Sequence, residues 1–220
     1  MAIARTARRR GRPTEPLLST EGITDAAIRI VSDRGYRHLT MTELARELKV
    51  STSALYNHTP SKRDVLVRVQ DRINRSIDCS GFGVLAWDAA LEGWARSYRD
   101  CYAQHTAMIP VMAVLPVGDS PHTLEMYEAV ARGLMDAGWP GAEAVNVIVA
   151  VESLVFGAAY DATAPADIFD PGELADLAPR FAAAARDRPR DPGEAADRAF
   201  DLALSAMLEG FRSRLSAVAG

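Results

Sequence analysis

The sequence predicts an all-α protein, with a three-helix head carrying a helix-turn-helix and a larger helical body behind it. Three observations lead there. Apolar residues recur at three- and four-residue spacing along most of the 220 residues, the signature of amphipathic helices. Ser, Thr and Asp stand where those stripes begin, as N-caps do. No segment shows convincing strand alternation.

The helices can be read in order. "ITDAAIRIVSDRG" places Ile23, Ala26, Ala27, Ile30 and Val31 on one stripe, and Gly35 supplies the stop. In "LTMTELARELKV", Thr40 followed by Glu43 forms a capping box, and Leu44, Ala45 and Leu48 make the buried side. Ser51 caps a third helix that runs only to about His58. A helix that short does not persist alone in water, so Leu55 has to pin it against the first two. Ser61 with Asp64 caps the fourth, whose stripe is Val65, Leu66, Val69 and Ile73.

Beyond Gly81 longer helices are predicted, at about 86–105, 107–115, 121–137 and 141–163. From 162 to 191 the composition shifts to Ala, Pro and Asp, which predicts a loosely ordered connection. "DPGE" occurs there at 170–173 and again at 191–194. Each supplies an Asp N-cap and a Pro at the first helical position, predicting a short helix after the first and a long terminal one over about 192–215. The domains expected are a basic flexible arm, 1–18, the helix-turn-helix unit, 19–68, and the body, 69–220.

Charge divides the chain. Residues 1–75 hold 15 Lys+Arg against 8 Asp+Glu, a balance of +7, and residues 76–220 hold 10 against 21, a balance of −11. A basic head on an acidic body suggests that the head meets a polyanion. Cys79 and Cys101 are too few for a disulfide framework or a paired metal motif. The longest strictly aliphatic run, Val147–Val151, is far too short to span a bilayer. The arginine-rich start lacks the apolar stretch of a signal peptide. A cytoplasmic protein with no membrane partner is expected.

Two capped helices around a tight turn, with Ala45 where the backbones approach and Val50 and Leu55 as plugs, form the helix-turn-helix pattern. "AAIRIVSDRGYRHLTMTELARELKVSTSALYNHTPSKRDVL" resembles the DNA-binding domain of the TetR family of bacterial transcriptional regulators. Two positions depart from that pattern. Lys49 stands where the family has Gly, and a left-handed backbone there costs a lysine on the order of 1 kcal/mol. Thr59 stands where the family favours an aromatic.

The resemblance implies that the third helix enters the major groove of double-stranded operator DNA. Thr52 and Ser53, at its N-terminus, are placed for base edges, whereas Ser51 is read as the cap. Tyr56, His58, Lys62, Thr40 and Thr42 are the candidates for phosphate contacts, which position the protein without reading sequence. Arg8, Arg9, Arg10 and Arg12 of the arm are candidates for the minor groove.

In the body, "AVNVIVAVESLVFGAAY" is apolar on nearly every side, so it must be covered on every side. The resemblance implies a homodimer whose two-fold seam is formed by this helix and the last one. The seam candidates are Val151, Leu154, Phe200, Leu204, Met207 and Phe211. Aromatic and Met side chains suit an adaptable apolar pocket for a small effector. Trp94, Tyr98, Met108, Met112, Tyr127, Phe156, Tyr160 and His105 are its candidate lining, with His122, Glu152 and Asp161 as further polar groups.

Enzyme readings are weak. "HTLE" at 122–125 sets His and Glu three apart without a second ligand pair, and no glycine-rich phosphate loop or nucleophile elbow occurs. No cofactor or metal is expected. The competing reading is a helical sensing dimer whose head does not bind DNA specifically, against which the basic arm and the polar third helix both count.

Overall fold

The computed structural model describes residues 18–218, and among these the chain is helical with no strand. Helix α1 (Thr20–Arg34) starts at Ser19, whose hydroxyl accepts from the Gly22 N–H at 3.0 Å. It ends where Gly35 turns to φ 84°, a region open to glycine. Then come α2 (Met41–Glu47), α3 (Thr52–Tyr56) and α4 (Lys62–Asn74). Ile23, Ala27 and Ile30 of α1, Leu44 and Ala45 of α2, Leu55 of α3 and Val65 and Val69 of α4 are all buried together.

The α2–α3 turn is closed by the Val50 N–H donating to the Ala45 carbonyl at 3.0 Å. Lys49 takes φ 56° there, the left-handed conformation expected at the position where the family has glycine. Helix α3 stops at Tyr56, two residues short of the predicted end. Pro60 biases its neighbour Thr59 out of the helical region. Across α1 and α2, Glu43 accepts from both Arg34 and Arg46, and Arg34 Nη2 lies 3.4 Å from Glu47.

The body contains α5 (Trp87–Ala103), α6 (Ile109–Met112), α7 (Pro121–Asp136), α8 (Gly141–Asp161), α9 (Pro179–Arg186) and α10 (Pro192–Val218). Helix α8 packs on α5, α7 and α10. By length and composition alone α8 could cross a membrane, with a mean hydropathy of 1.6; in the fold, those three helices cover one side of it, burying Val147, Val151 and Val155. The loop before α5 docks on α7 through Phe82. A Cβ at Gly133 would meet the Phe82 ring at 2.5 Å, so that contact requires glycine.

Some predicted elements differ. The expected helix at 107–115 is a 3-10 turn, Thr106–Met108, followed by the single turn α6, because Pro110 and Pro116 restrict the backbone at both ends. After the first "DPGE" the chain forms a 3-10 turn, Gly172–Leu177, since Asp170 accepts from the Gly172 N–H and Gly172 turns to φ 52°. The second "DPGE" does start α10, with Asp191 accepting from the Glu194 N–H at 2.8 Å. The 162–191 connection is structured rather than loose: Phe169 and Phe181 pack edge-on at 6.3 Å, and Arg188 lies 4.6 Å from the Phe169 ring. Two aromatics and an arginine supply the cohesion that its bulk composition conceals.

The seam candidates need the main correction. Val151, Phe200 and Leu204 are buried inside a single chain, and Leu154, Met207 and Phe211 are partly covered by the same core. The reason is the docking of α10 along α5 and α8, secured by Arg99–Asp197 at 2.7 Å, Arg96–Asp201 at 2.6 Å and Arg212–Asp88 at 2.7 Å. Phe211 lies edge-on to Trp139 at 5.9 Å. The outward sides of these helices instead carry Val145 and Val149 on α8, and Leu202 and Ala206 on α10.

Phe200→Ala is therefore predicted to cost roughly 3–5 kcal/mol of folding stability while leaving the association state unchanged. Urea unfolding and sedimentation of the same variant check this; loss of association without loss of stability would contradict the placement.

Candidate nucleic-acid interface and ligand site

Helix α3 presents a polar end and face. Ser51 spends its hydroxyl on the Ala54 N–H at 3.1 Å, as a cap does. Ser53 is exposed and Thr52 half-buried at the same terminus, and Tyr56 is 49% exposed one turn on. His58 is exposed just past the helix. Thr40 caps α2 by accepting from the Glu43 N–H at 3.1 Å, and Thr42 is exposed in its first turn. Lys62 opens α4 beside the Ser61 cap, its ammonium 3.8 Å from the centre of the Tyr36 ring. Thr40, Thr42, Thr52, Ser53, Tyr56, His58 and Lys62 thus lie at the starts of α2 and α4 and along α3. The arm residues Arg8, Arg9, Arg10 and Arg12 lie outside the described residues.

Tyr36 is the head residue that the sequence reading missed. It lies in a 3-10 turn between α1 and α2, too far in sequence from Lys62 for helical spacing to pair them. The Glu43 clamp has an electrostatic consequence: Arg46, with Arg34, holds the Glu43 carboxyl down at about 2 from its ordinary 4.5.

Behind the head, α4 enters the body with two buried amides. Asn74 donates to Thr123 Oγ1 at 3.0 Å and accepts from the Tyr102 hydroxyl at 2.8 Å. One turn earlier Gln70 accepts from Ser120 Oγ at 2.9 Å, and Asp71 accepts from the His122 N–H at 2.8 Å. The sequence carried a signal for this. Gln70 and Asn74 stand four apart on the buried side of α4, where an apolar helix face would continue.

The Tyr102 ring leads into an aromatic cluster. Its centroid is 5.1 Å from both Tyr98 and Phe156, and Tyr98 is 5.4 Å from Trp94. Trp94, Tyr98 and Tyr102 are at most 2% exposed. The Trp94 indole N–H is buried without an acceptor. Beside them stands Glu152 of α8, whose Oε1 accepts from the Tyr98 hydroxyl at 2.9 Å and from the Tyr127 hydroxyl. Burial pushes the Glu152 carboxyl above its usual range, against the two tyrosine bonds that lower it. Burial likewise raises Tyr98, Tyr102 and Tyr127, which stay protonated as donors.

Of the predicted pocket residues, the fold brings Trp94, Tyr98, Tyr127 and Phe156 together. The others go elsewhere. Met108 and Met112 are buried in the 3-10/α6 segment, whose 3-10 turn packs on α1 and α5. His105 lines a separate groove with Asp78, Asp100 and Cys101, where burial lowers its imidazole. Tyr160 is 45% exposed, because its position on α8 turns it to the outward face. A cavity of about 550 Å³ lies apart from the cluster, between the 162–191 connection and the start of α10.

A helix-turn-helix head joined by a buried polar junction to a helical body with an aromatic core defines a class, the helix-turn-helix regulators with a larger all-α body. The chain belongs to the TetR family: residues 23–69 match "Bacterial regulatory proteins, tetR family" and residues 84–215 match "Tetracyclin repressor-like, C-terminal domain". That family comprises bacterial regulatory proteins. A similar protein is the HTH-type transcriptional repressor DrrR1 of Streptomyces coeruleorubidus, 31% identical over 155 residues, which are 70% of this chain. The chain spans 57% of that repressor's length. Among solved structures, a possible TetR family regulator from Streptomyces coelicolor shares the fold, with a TM-score of 0.73 at 20% identity over 89% of this chain and 99% of that one. BioQ, solved with its double-stranded DNA operator, is 30% identical with a TM-score of 0.57, over 76% of this chain and 99% of that one.

The Glu43 clamp predicts an acid-sensitive head. A carboxyl lowered on folding contributes stability above its unfolded value and loses it as the pH falls toward the folded one. Glu43 should therefore stabilise the head fully above about 5 and progressively less between 4.5 and about 2. Thermal melts of wild type and Glu43→Gln should differ at neutral pH and converge on acidification; a gap that stays constant would refute the assignment.

Proposed function

We propose that the protein is a ligand-responsive repressor that binds a palindromic operator as a cytoplasmic homodimer and is released by a small, largely apolar effector. The observation that carries the reading is the buried polar junction. Asn74 connects α4, whose first turn holds Lys62 beside the recognition helix, to Tyr102 of the aromatic cluster. Displacing the rings around Glu152 would move Tyr102 and so bias the setting of α4 and the head. A ligand shifts that setting only by binding one state more tightly than the other, and DNA must oppose the ligand by the same factor. Similarity to a transcriptional repressor and to a protein solved on its operator supports the DNA half. The rings of Tyr127 and Phe156, only half-buried, are the ones placed to give way to an effector.

In this reading Thr52 and Ser53 touch base edges, while Thr40, Thr42, Tyr56, His58 and Lys62 touch phosphate. Selection from random duplexes should return a palindrome with half-sites one or more helical turns apart. Thr52→Ala should alter preference at particular bases. Lys62→Ala should weaken every sequence alike and reduce the salt slope by about 1. A selection that enriched no palindrome would defeat the reading.

The homodimer rests on the outward faces of α8 and α10. Val145 and Val149 on one, and the 73% exposed Leu202 with Ala206 on the other, form apolar surface on long helices. Gly157 and Gly210 are exposed on those helices, and a Cβ at either would meet nothing within this chain. Glycine inside a helix costs about 0.5–1 kcal/mol relative to alanine, a cost that the close approach of a partner helix would offset. Leu202→Glu should yield a folded monomer with greatly reduced operator affinity. Sedimentation and operator titration check it, and a Leu202→Glu dimer that binds normally would place the seam elsewhere.

A further inference from the structure

We propose that the site formed by Glu152, Tyr98 and Tyr127 takes an organic cation, an amine carried on an aromatic or otherwise apolar body. The inference rests on reading the aromatic cluster as the effector site and specifies the chemistry of the effector. Glu152 lies midway along the apolar helix α8, and both tyrosine hydroxyls donate to the same oxygen, Oε1. Half-buried acids elsewhere, Glu43, Asp71, Asp88, Glu92 and Glu143 among them, each pair with an arginine. No Lys, Arg or His among the described residues pairs with Glu152, so its carboxyl has no counter-ion among them.

The surroundings favour the same ligand. A carboxylate withdrawn from water is disfavoured unless a cation or several donors meet it. Trp94, Tyr98, Tyr102 and Phe156 pack on one another beside Glu152 at ring separations of 5.1–5.7 Å, and aromatic groups attract ammonium most strongly where water is excluded. Around them the body from 76 onward carries 10 basic against 21 acidic residues, a field that draws cations and repels organic anions. A neutral ligand would bring no counter-charge to Glu152, and an anion would add a like charge. An ammonium bound to Glu152 would compete with the two tyrosine hydroxyls, loosening Tyr98 from α8. Tyr98 packs on Tyr102, the ring bonded to Asn74, so the competition reaches α4.

The test uses three probes with one indole body: tryptamine, tryptophol and indoleacetate, which are cationic, neutral and anionic at neutral pH. Calorimetric titration of the full-length protein should show tryptamine binding about tenfold tighter than tryptophol, with indoleacetate weakest. Glu152→Gln, checked for helix content by circular dichroism, should remove the tryptamine advantage while leaving tryptophol within about twofold of wild type. The wild-type ranking decides the matter even if that variant does not fold. Tryptophol or indoleacetate binding as tightly as tryptamine, a preference that survives Glu152→Gln, or no binding of any probe up to millimolar concentration would each overturn the proposal. Operator binding is measured separately. Tryptamine selectivity without operator binding would leave the cation site standing and defeat the regulator reading. Operator binding with a neutral or anionic probe preferred would do the reverse.

Discussion

The structure depends on one side chain being satisfied from both ends. Asn74 is 2% exposed, gives its amide hydrogen to Thr123 on α7 and receives one from Tyr102 on α5. A buried donor or acceptor left without its partner costs about 1–3 kcal/mol, so α4 has little freedom to rotate or slide against either helix. Gln70 repeats the constraint one turn earlier through Ser120. An apolar interface would tolerate small slips, because burial is non-directional. Directional bonds tie the last helix of the head to the core of the body in one register.

The head is built to follow α4 as a unit. Leu55 is fully buried in the core that residues of α1, α2 and α4 also form, and this is what lets a five-residue helix hold its place. The arginines around Glu43 join α1 to α2 on the opposite side. Lys62 sits at the α4 end nearest the recognition helix, its ammonium over Tyr36. In the proposed mechanism a change in the setting of α4 moves the polar face of α3 with it.

In the body, α8 has two apolar sides with different tasks. Val147, Val151 and Val155 face the chain's own core, while Val145 and Val149 face outward. Glu152 lies at the edge between them, held by tyrosines from α5 and α7. The polar centre of the candidate ligand site thus adjoins the surface proposed for the second copy. In the proposed mechanism effector binding and subunit geometry are therefore physically adjacent.

Local features of the chain specified its local structure. The caps at Thr40, Ser51, Ser61 and Asp191, the turn at Lys49 and the apolar stripes of α1 and α4 depend on residues a few positions apart, so a linear reading captures them. The helix-turn-helix was legible for the same reason. Spacing along one helix identifies an apolar face but not its neighbour, which is why Phe200, Leu204 and Val151 read as seam residues until α10 was seen to lie along α5 and α8. Likewise nothing local joins Tyr98 to Glu152, Tyr102 to Asn74 or Lys62 to Tyr36. Those pairings arise when helices dozens of residues apart are packed and their buried polar groups must find one another. Which side of an apolar helix meets its own chain, and which side chains meet a buried carboxyl such as Glu152, are properties of that packing alone.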